Sequence, residues 1–396
     1  VSGSSRSPAN LAKGDVVIAG AYELPLRDGG GLHPFAMQQM AIKGALDDAG
    51  LTIDDVDGFA AAQGDVGEGG QVLHLVEIAE YLGIKPRYFE GTDIGGCSYI
   101  SHVAHAAAAI RFGYAHTVVV SYAACPRWWP VPAEWDRNYH PTGPGQWEAP
   151  YPLSLIGRYA LMARRYMHEY GATEEDLAAL AVLCRANAAL NPDARYRTPL
   201  TIDDVMKSRM LSDPLKKLDC CVLTEGAGAV VVTSAERAKD CRKPGIALLG
   251  FGEAIHSVMM NQRADIYHTP GRDSGARAFE MAGIRPDEID VAQLYDAFTI
   301  TPMLALEELG FCGTGEAPAL IRSGHVSPGG RMPINTDGGG LSSNHPGKRG
   351  MFILVEAVRQ LRGEGPGFQV PDASLAVAHG IGGNMSAAAT LVMARC

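Results

Sequence analysis

His345 closes the stretch Asn335-Thr336-Asp337-Gly338-Gly339-Gly340-Leu341-Ser342-Ser343-Asn344-His345-Pro346-Gly347, in which polar residues and a triple glycine precede a helix expected over 350–361. Glycines let backbone amides approach a ligand closely and adopt positive φ. An imidazole held at the mouth of such a helix suits proton transfer near pH 7. Taken alone, the stretch is also readable as a glycine-rich turn carrying a surface histidine. Three further islands keep it company. They are Gly95-Gly96-Cys97-Ser98 at the start of an alanine-rich helix, Leu294-Tyr295-Asp296-Ala297-Phe298-Thr299, and His379-Gly380-Ile381-Gly382-Gly383-Asn384-Met385 between two strands. A thiol at a helix N-terminus has a lowered pKa, so Cys97 is a candidate nucleophile; the other reading is a small buried thiol packing under a sheet.

The elements that must position these islands alternate along the chain. Val16 to Ala21 reads as a buried strand, 35–51 as a helix stopped by Ala-Gly, Gly58 to Ala61 as a strand, and Gln71 to Leu82 as a helix. Arg87 to Phe89 is extended, the alanine-rich helix ends near Phe112-Gly113, and His116 to Tyr122 is a buried strand. That β-α order is the signature of a mainly parallel sheet with helices on its faces. From Pro126 to Tyr151 it breaks into a loop carrying Trp128, Trp129, Trp135 and Trp147, which suits a bulky hydrophobic substrate or a partner surface. Helices are expected over Leu153–Tyr170, Thr173–Leu190 and Ile202–Met210, then a strand over Ala227–Thr233. The second half restarts with strand Gly245–Gly252, helix Gly275–Ala282, strand Val291–Leu294, helix Thr301–Leu309, and strands Leu375–Ala378 and Ala388–Met393. Two halves of similar order imply an internal duplication, with the boundary near Asp240.

At 396 residues the chain suits two domains or one large α/β unit. Its apolar content of 46% and charged content of 20% are ordinary for a globular protein. A net charge of −10 argues against nucleic acid as a partner. No apolar run is long enough to span a bilayer, and Val1 to Pro8 lacks the apolar core of a signal peptide. The eight cysteines show no C-x-x-C pairs, so neither a metal site nor a disulfide framework is indicated. A reduced, cytoplasmic protein is expected.

On its four islands the sequence resembles the thiolase superfamily, specifically its sterol-carrier and lipid-transfer branch. Leu218-Asp219-Cys220-Cys221, Glu225-Gly226-Ala227, Glu307-Glu308-Leu309-Gly310-Phe311-Cys312 and Gln360-Leu361-Arg362-Gly363 match that branch too. The resemblance implies an α/β thiolase fold of two βαβαβαββ halves in five αβαβα layers. Residues 1–240 would form the N-terminal half, with an inserted region at about 123–215, and residues 241–396 the C-terminal half. It also implies a homodimer and carbon–carbon chemistry beside a coenzyme A thioester, with coenzyme A part of the substrate and no cofactor bound by the chain.

A true thiolase uses a cysteine at a buried helix start, a Gly-His-Pro histidine, a second cysteine in Cys-x-Gly-Gly, and an Asn-Glu-Ala-Phe or His-Asp-Cys-Phe motif. His345-Pro346 matches the histidine motif, with Asn344 in place of glycine. Tyr295-Asp296-Ala297-Phe298 takes the Asn-Glu-Ala-Phe position, Gly380 the second cysteine's, and Gly96 the nucleophile's, with Cys97 one residue later and about 100° around the helix. Cleaving a β-ketoacyl thioester needs a covalent acyl carrier. A retro-aldol cleavage of a β-hydroxyacyl thioester needs only a base and an enolate oxyanion site. The losses therefore resemble lipid-transfer-type aldolases of steroid side-chain degradation, which pair with a small OB-fold, zinc-ribbon protein and carry a tyrosine where this chain has His345.

His345 or Tyr295 would take the hydroxyl proton while the other orients the carbonyl. Backbone amides at Gly382 and Gly383, with Gly96 nearby, are the oxyanion candidates. Asn335 would orient His345 or satisfy its own turn. Asp296 is expected to cap the helix beginning near Thr299, and His102, His105 and His379 to be structural. The alternatives are an acyltransferase using Cys97 and a non-catalytic acyl-CoA or lipid carrier.

Overall fold

Apolar runs of small and β-branched residues become the strands, and amphipathic stretches between them the helices. The structure, a computed structural model, describes residues 14–62, 74–128, 143–148, 150–151 and 153–396. The first half runs β1 (Val16–Glu23), α1 (Pro34–Ala49), β2 (Gly58–Ala60), α2 (His74–Leu82), β3 (Tyr88–Glu90), α3 (Ser98–Arg111) and β4 (Thr117–Ala124). Three helices then intervene, α4 (Leu155–Tyr170), α5 (Glu174–Leu190) and α6 (Ile202–Met206). A small hairpin of β5 (Met210–Ser212) and β6 (Leu215–Lys216) leads to β7 (Gly226–Ser234) and α7 (Ala235–Ala238). The second half runs β8 (Ile246–Ile255), α8 (Gly271–Ala282), β9 (Val291–Leu294), α9 (Ile300–Glu308), α10 (Ala317–Arg322), α11 (Gly350–Arg362), β10 (Leu375–Gly382) and β11 (Ala387–Arg395).

Local chemistry sets the helix ends. Ser154 caps α4, a Thr173–Asp176 capping box opens α5, and α1 stops at Gly50, whose φ of 74° a side chain would disfavour.

Nine strands pair in the order β3-β2-β4-β7-β1-β8-β11-β10-β9. Counting strands within each half, the first reads 3-2-4-5-1 outward to the seam, and the second reads 1-5-4-2 away from it. The halves therefore repeat one another about a short antiparallel seam, Val17 against Ala247 and Ile18 against Ile246. The position of the second half's third strand is held by a parallel bridge from Ala292 to Ile334, matching the parallel β2–β3 pair. α1 covers one side of β1, β4 and β7, and α8 covers β8 and β11. Between the half-sheets lie α3 and α11, packed on each other and on strands of both halves. This is the αβαβα layering expected, and it puts the starts of α3 and α11 beside the ends of β9 and β10.

Several details differ from the sequence reading. β10 runs on to Gly382, so His379 and Gly380 are strand residues rather than part of a connection. The helix expected over Ile202–Met210 stops at Met206, and its last residues turn into the β5–β6 hairpin. α10 follows no periodicity long enough to announce it. Trp129 and Trp135 lie outside the described residues.

Candidate active site

Tyr295 follows the last residue of β9, and its backbone N–H donates to the His379 carbonyl on β10 (2.9 Å). The ring is buried. Its hydroxyl donates to the Gly347 carbonyl (3.3 Å) and accepts from the Arg349 N–H (3.1 Å). A Cβ added at Gly96 would lie 2.4–2.6 Å from Cε2, Oη and Cζ of this ring. The tyrosine thus fills the space that any side chain at Gly96 would need.

His345 is pinned from several directions. Its backbone N–H donates to Thr224 Oγ1 (2.9 Å), and that hydroxyl donates to Asn344 Oδ1 (2.6 Å). Tyr122 on β4 donates to the Pro346 carbonyl (2.9 Å) and accepts from the Lys348 N–H (3.0 Å). The imidazole stands edge-to-face with Tyr295, ring centroids 5.6 Å apart. Its Nε2 has no hydrogen-bond partner among the described residues. Burial, helped by the Arg349 charge, lowers its pKa to about 4. The ring is therefore neutral at pH 7 and can accept a proton. Burial raises the Tyr295 hydroxyl well above its ordinary value, so it stays protonated and donates.

Behind this pair runs a buried ion cluster. Arg349 binds Asp337 through Nη2 (2.7 and 2.9 Å), its Nε lies 3.1 Å from Asp296 Oδ1, and Nη1 donates to the Asn344 carbonyl (2.8 Å). Asp296 does not cap α9. Its carboxylate accepts from the Gly340 and Leu341 N–H groups (2.7 and 3.1 Å) and so closes the Gly339–Ser343 turn instead. Burial pushes its pKa up to about 6 against the pull of Arg349. Gly339 adopts φ 68°, and a Cβ there would meet Asp296 Oδ2 at 2.0 Å, which accounts for glycine at that point. Asn335 does not reach His345. Its Oδ1 accepts from the Leu294 N–H (2.8 Å) and fixes the end of β9, away from the cavity.

A cavity of about 170 Å³ opens in front of Tyr295 and His345. Gly95 and Gly96 form one wall, Gly382, Gly383 and Asn384 another, and Tyr159 of α4 a third. Tyr159 donates to the Gly383 carbonyl (3.0 Å) and stacks on Phe298 (4.4 Å). The Gly383 backbone nitrogen lies close to Gly95, 2.7 Å from where a Cβ there would sit.

Cys97 is not on this surface. It is fully buried, its thiol directed to the Ile94 carbonyl (3.4 Å), with its Cβ against Gly380. Burial raises its pKa, which reverses the lowering expected from the helix start. Gly380 gives it room rather than facing substrate. His379 points to Thr390 (2.9 Å) and His102 to the Thr92 carbonyl (2.8 Å). His105 lies between Glu90 and Glu253. Trp128 and Trp147 are exposed and outside the cavity wall.

The sequence reading missed Tyr159, Thr224, Arg349 and Asn384. Lys348-Arg349 directly after His345-Pro346-Gly347 was the one visible signal, two cations beside a candidate base. Their burial shows only in three dimensions.

Residues 252–395 match the family model described as thiolase C-terminal domain-like. The chain is 36% identical over 366 residues to the 17-hydroxy-3-oxo-4-pregnene-20-carboxyl-CoA lyase of Mycobacterium tuberculosis, covering 89% of this chain and 93% of that protein. It is 32% identical to the acetyl-CoA acetyltransferase of Methanothermobacter thermautotrophicus, covering 89% and 92%. A solved Ltp2-ChsH2(DUF35) aldolase superposes with a TM-score of 0.86 at 32% identity, covering 97% of this chain and 99% of that one.

Proposed function

The chain belongs to the thiolase superfamily, in its sterol-carrier and lipid-transfer branch, and from that membership we propose that it cleaves a β-hydroxyacyl-CoA by a retro-aldol reaction. The observation that carries the reading is the exchange at Gly96. The Tyr295 hydroxyl fills the space where a thiolase would place its nucleophilic cysteine, beside a neutral imidazole whose Nε2 has no hydrogen-bond partner among the described residues. A site without an acyl carrier but with a base and a hydrogen-bond donor suits carbon–carbon cleavage of an alcohol.

In this mechanism His345 Nε2 takes the proton of the β-hydroxyl. The Cα–Cβ bond breaks as the hydroxyl carbon becomes a carbonyl, and its electrons pass into the thioester enolate. Tyr295 orients the hydroxyl oxygen, and the backbone at Gly382–Gly383 receives the enolate oxygen. The imidazolium then returns its proton to Cα, leaving a shorter acyl-CoA. The lyase relative supports a bulky, steroid-type side-chain thioester as substrate. The solved aldolase supports a DUF35-type partner, and the resemblance implies a small OB-fold, zinc-ribbon protein in that role. A homodimer belongs to the same proposal.

The test is release of a carbonyl compound and a shortened acyl-CoA from a panel of β-hydroxyacyl thioesters, with such a partner present. His345→Ala and Tyr295→Phe should each lower kcat by roughly a hundredfold or more. The acid limb of kcat/KM should fall near pH 4, where the free-enzyme imidazole protonates. Absence of carbonyl release across the panel would reject the reading. The acyltransferase relative favours a second reading through Cys97. CoA-dependent cleavage abolished in Cys97→Ser would establish that reading, and full activity in the variant would dismiss it.

A further inference from the structure

β10 ends at Gly382, and the chain turns through Gly383 and Met385, at φ 58° and 54°, before β11 begins. Asn384 lies within that turn. Its backbone is held tightly, the carbonyl accepting from Arg263 Nη2 (2.6 Å), while Ser386 N–H donates to the Gly382 carbonyl (2.9 Å). Asn384 is 1% exposed and lines the cavity of Tyr295 and His345, yet neither Oδ1 nor Nδ2 has a hydrogen-bond partner among the described residues. Buried polar groups are almost always paired, and leaving one unpaired destabilises a fold. An amide with no partner among the described residues, on a residue that lines the reaction cavity, is therefore suited to a ligand group.

The amide presents a donor, Nδ2–H, and an acceptor, Oδ1, on one plane. We propose that Asn384 reads the substrate's β-hydroxyl, and so makes the site select hydroxylated over saturated acyl thioesters. This rests on the retro-aldol reading. Nδ2–H donates to the hydroxyl oxygen and continues to do so as that oxygen becomes a carbonyl. The hydroxyl proton meanwhile passes to His345 Nε2, which lines the same cavity and has no hydrogen-bond partner among the described residues. A secondary amide of the pantetheine arm offers the same donor and acceptor, but every acyl-CoA carries that arm. Only the hydroxyl distinguishes the two ligands compared below.

Dissociation constants of β-hydroxyhexanoyl-CoA and hexanoyl-CoA are measured by calorimetry in the His345→Ala background, which separates binding from turnover. The hydroxylated thioester should bind at least about tenfold more tightly. Adding Asn384→Leu should bring the two within about twofold. Adding Asn384→Ser, which keeps a donor and an acceptor on a smaller group, should retain part of the preference and guards against misfolding of the leucine variant. An unchanged ratio in Asn384→Leu would overturn the proposal. So would equal weakening of both ligands, which would assign the amide to the pantetheine arm. Carbonyl release by the unmodified protein is scored separately, so failure of the cleavage reading remains distinguishable.

Discussion

Gly96 and Tyr295 act as a unit, because the absence of a side chain at one position is what admits the ring of the other. The separation of 2.4–2.6 Å from a virtual Cβ to the ring is far inside van der Waals contact, so a side chain at Gly96 would force the ring to shift. Gly96→Ala should displace Tyr295 from Gly347 and Arg349. A misplacement of about 1 Å costs on the order of a hundredfold in rate, so kcat should fall by at least that factor while the fold survives. Cys97→Ala, one residue away, should leave kcat within about twofold because the thiol faces β10. Steady-state kinetics of the two variants on a β-hydroxyacyl thioester checks both, and a matched loss in both would contradict the assignment. The residues His345, Tyr295 and Gly96 were legible as a set in the sequence because their motifs keep fixed neighbours. The side to which Cys97 turns was not, since one residue of helix phase decides it and phase depends on packing.

At the scale of elements, the Arg349 cluster joins three segments that are remote in sequence. Asp296 follows β9, Asp337 opens the glycine turn, and Arg349 immediately precedes α11. The same residue's N–H holds the Tyr295 hydroxyl, so the cluster and the chemistry share one backbone position. Arg349→Met would leave two carboxylates buried without their cation. Breaking a buried ion pair by removing one partner costs roughly 3–5 kcal/mol, which calorimetric or denaturant unfolding would register. Arg349→Met combined with Asp337→Asn should recover part of that loss, because the stranded charge goes with its partner. Failure to recover would mean that Arg349 acts mainly through packing. Strands and helices around this cluster were readable from periodicity and caps. Asp296 was assigned to the wrong helix because a carboxylate before Thr299 fits an N-cap locally, while the turn it closes lies 44 residues away.

Over the whole molecule, the repeated strand order places two half-sheets around α3 and α11, and this central layer and its neighbours bury several ionisable groups. No helix among the described residues is long and apolar enough to cross a membrane. His102, His345 and His379 are each lowered to about 4 by burial, from an ordinary 6.5. Their folded pKa values lie below the unfolded one, so the stability linked to them is present above about pH 6.5 and lost as pH falls through 4. Three other groups act on the alkaline side. Burial raises Glu308 to about 7, and burial with the Asp337 charge raises Glu356 in the same direction. Hydrogen bonds that the imidazolium donates to Glu253 and Glu90 raise His105 to about 9. Their folded pKa values lie above the unfolded ones, so each contribution declines as pH rises through the folded pKa. Above pH 6.5 the lowered histidines no longer oppose this trend. The melting temperature should therefore fall steadily between about pH 6.5 and pH 9. Glu308→Gln keeps an amide against Thr269 without a titratable proton, and it should flatten the part of that slope below about pH 8. Scanning calorimetry across the range checks it, and an identical slope in the glutamine variant would remove Glu308 from the account.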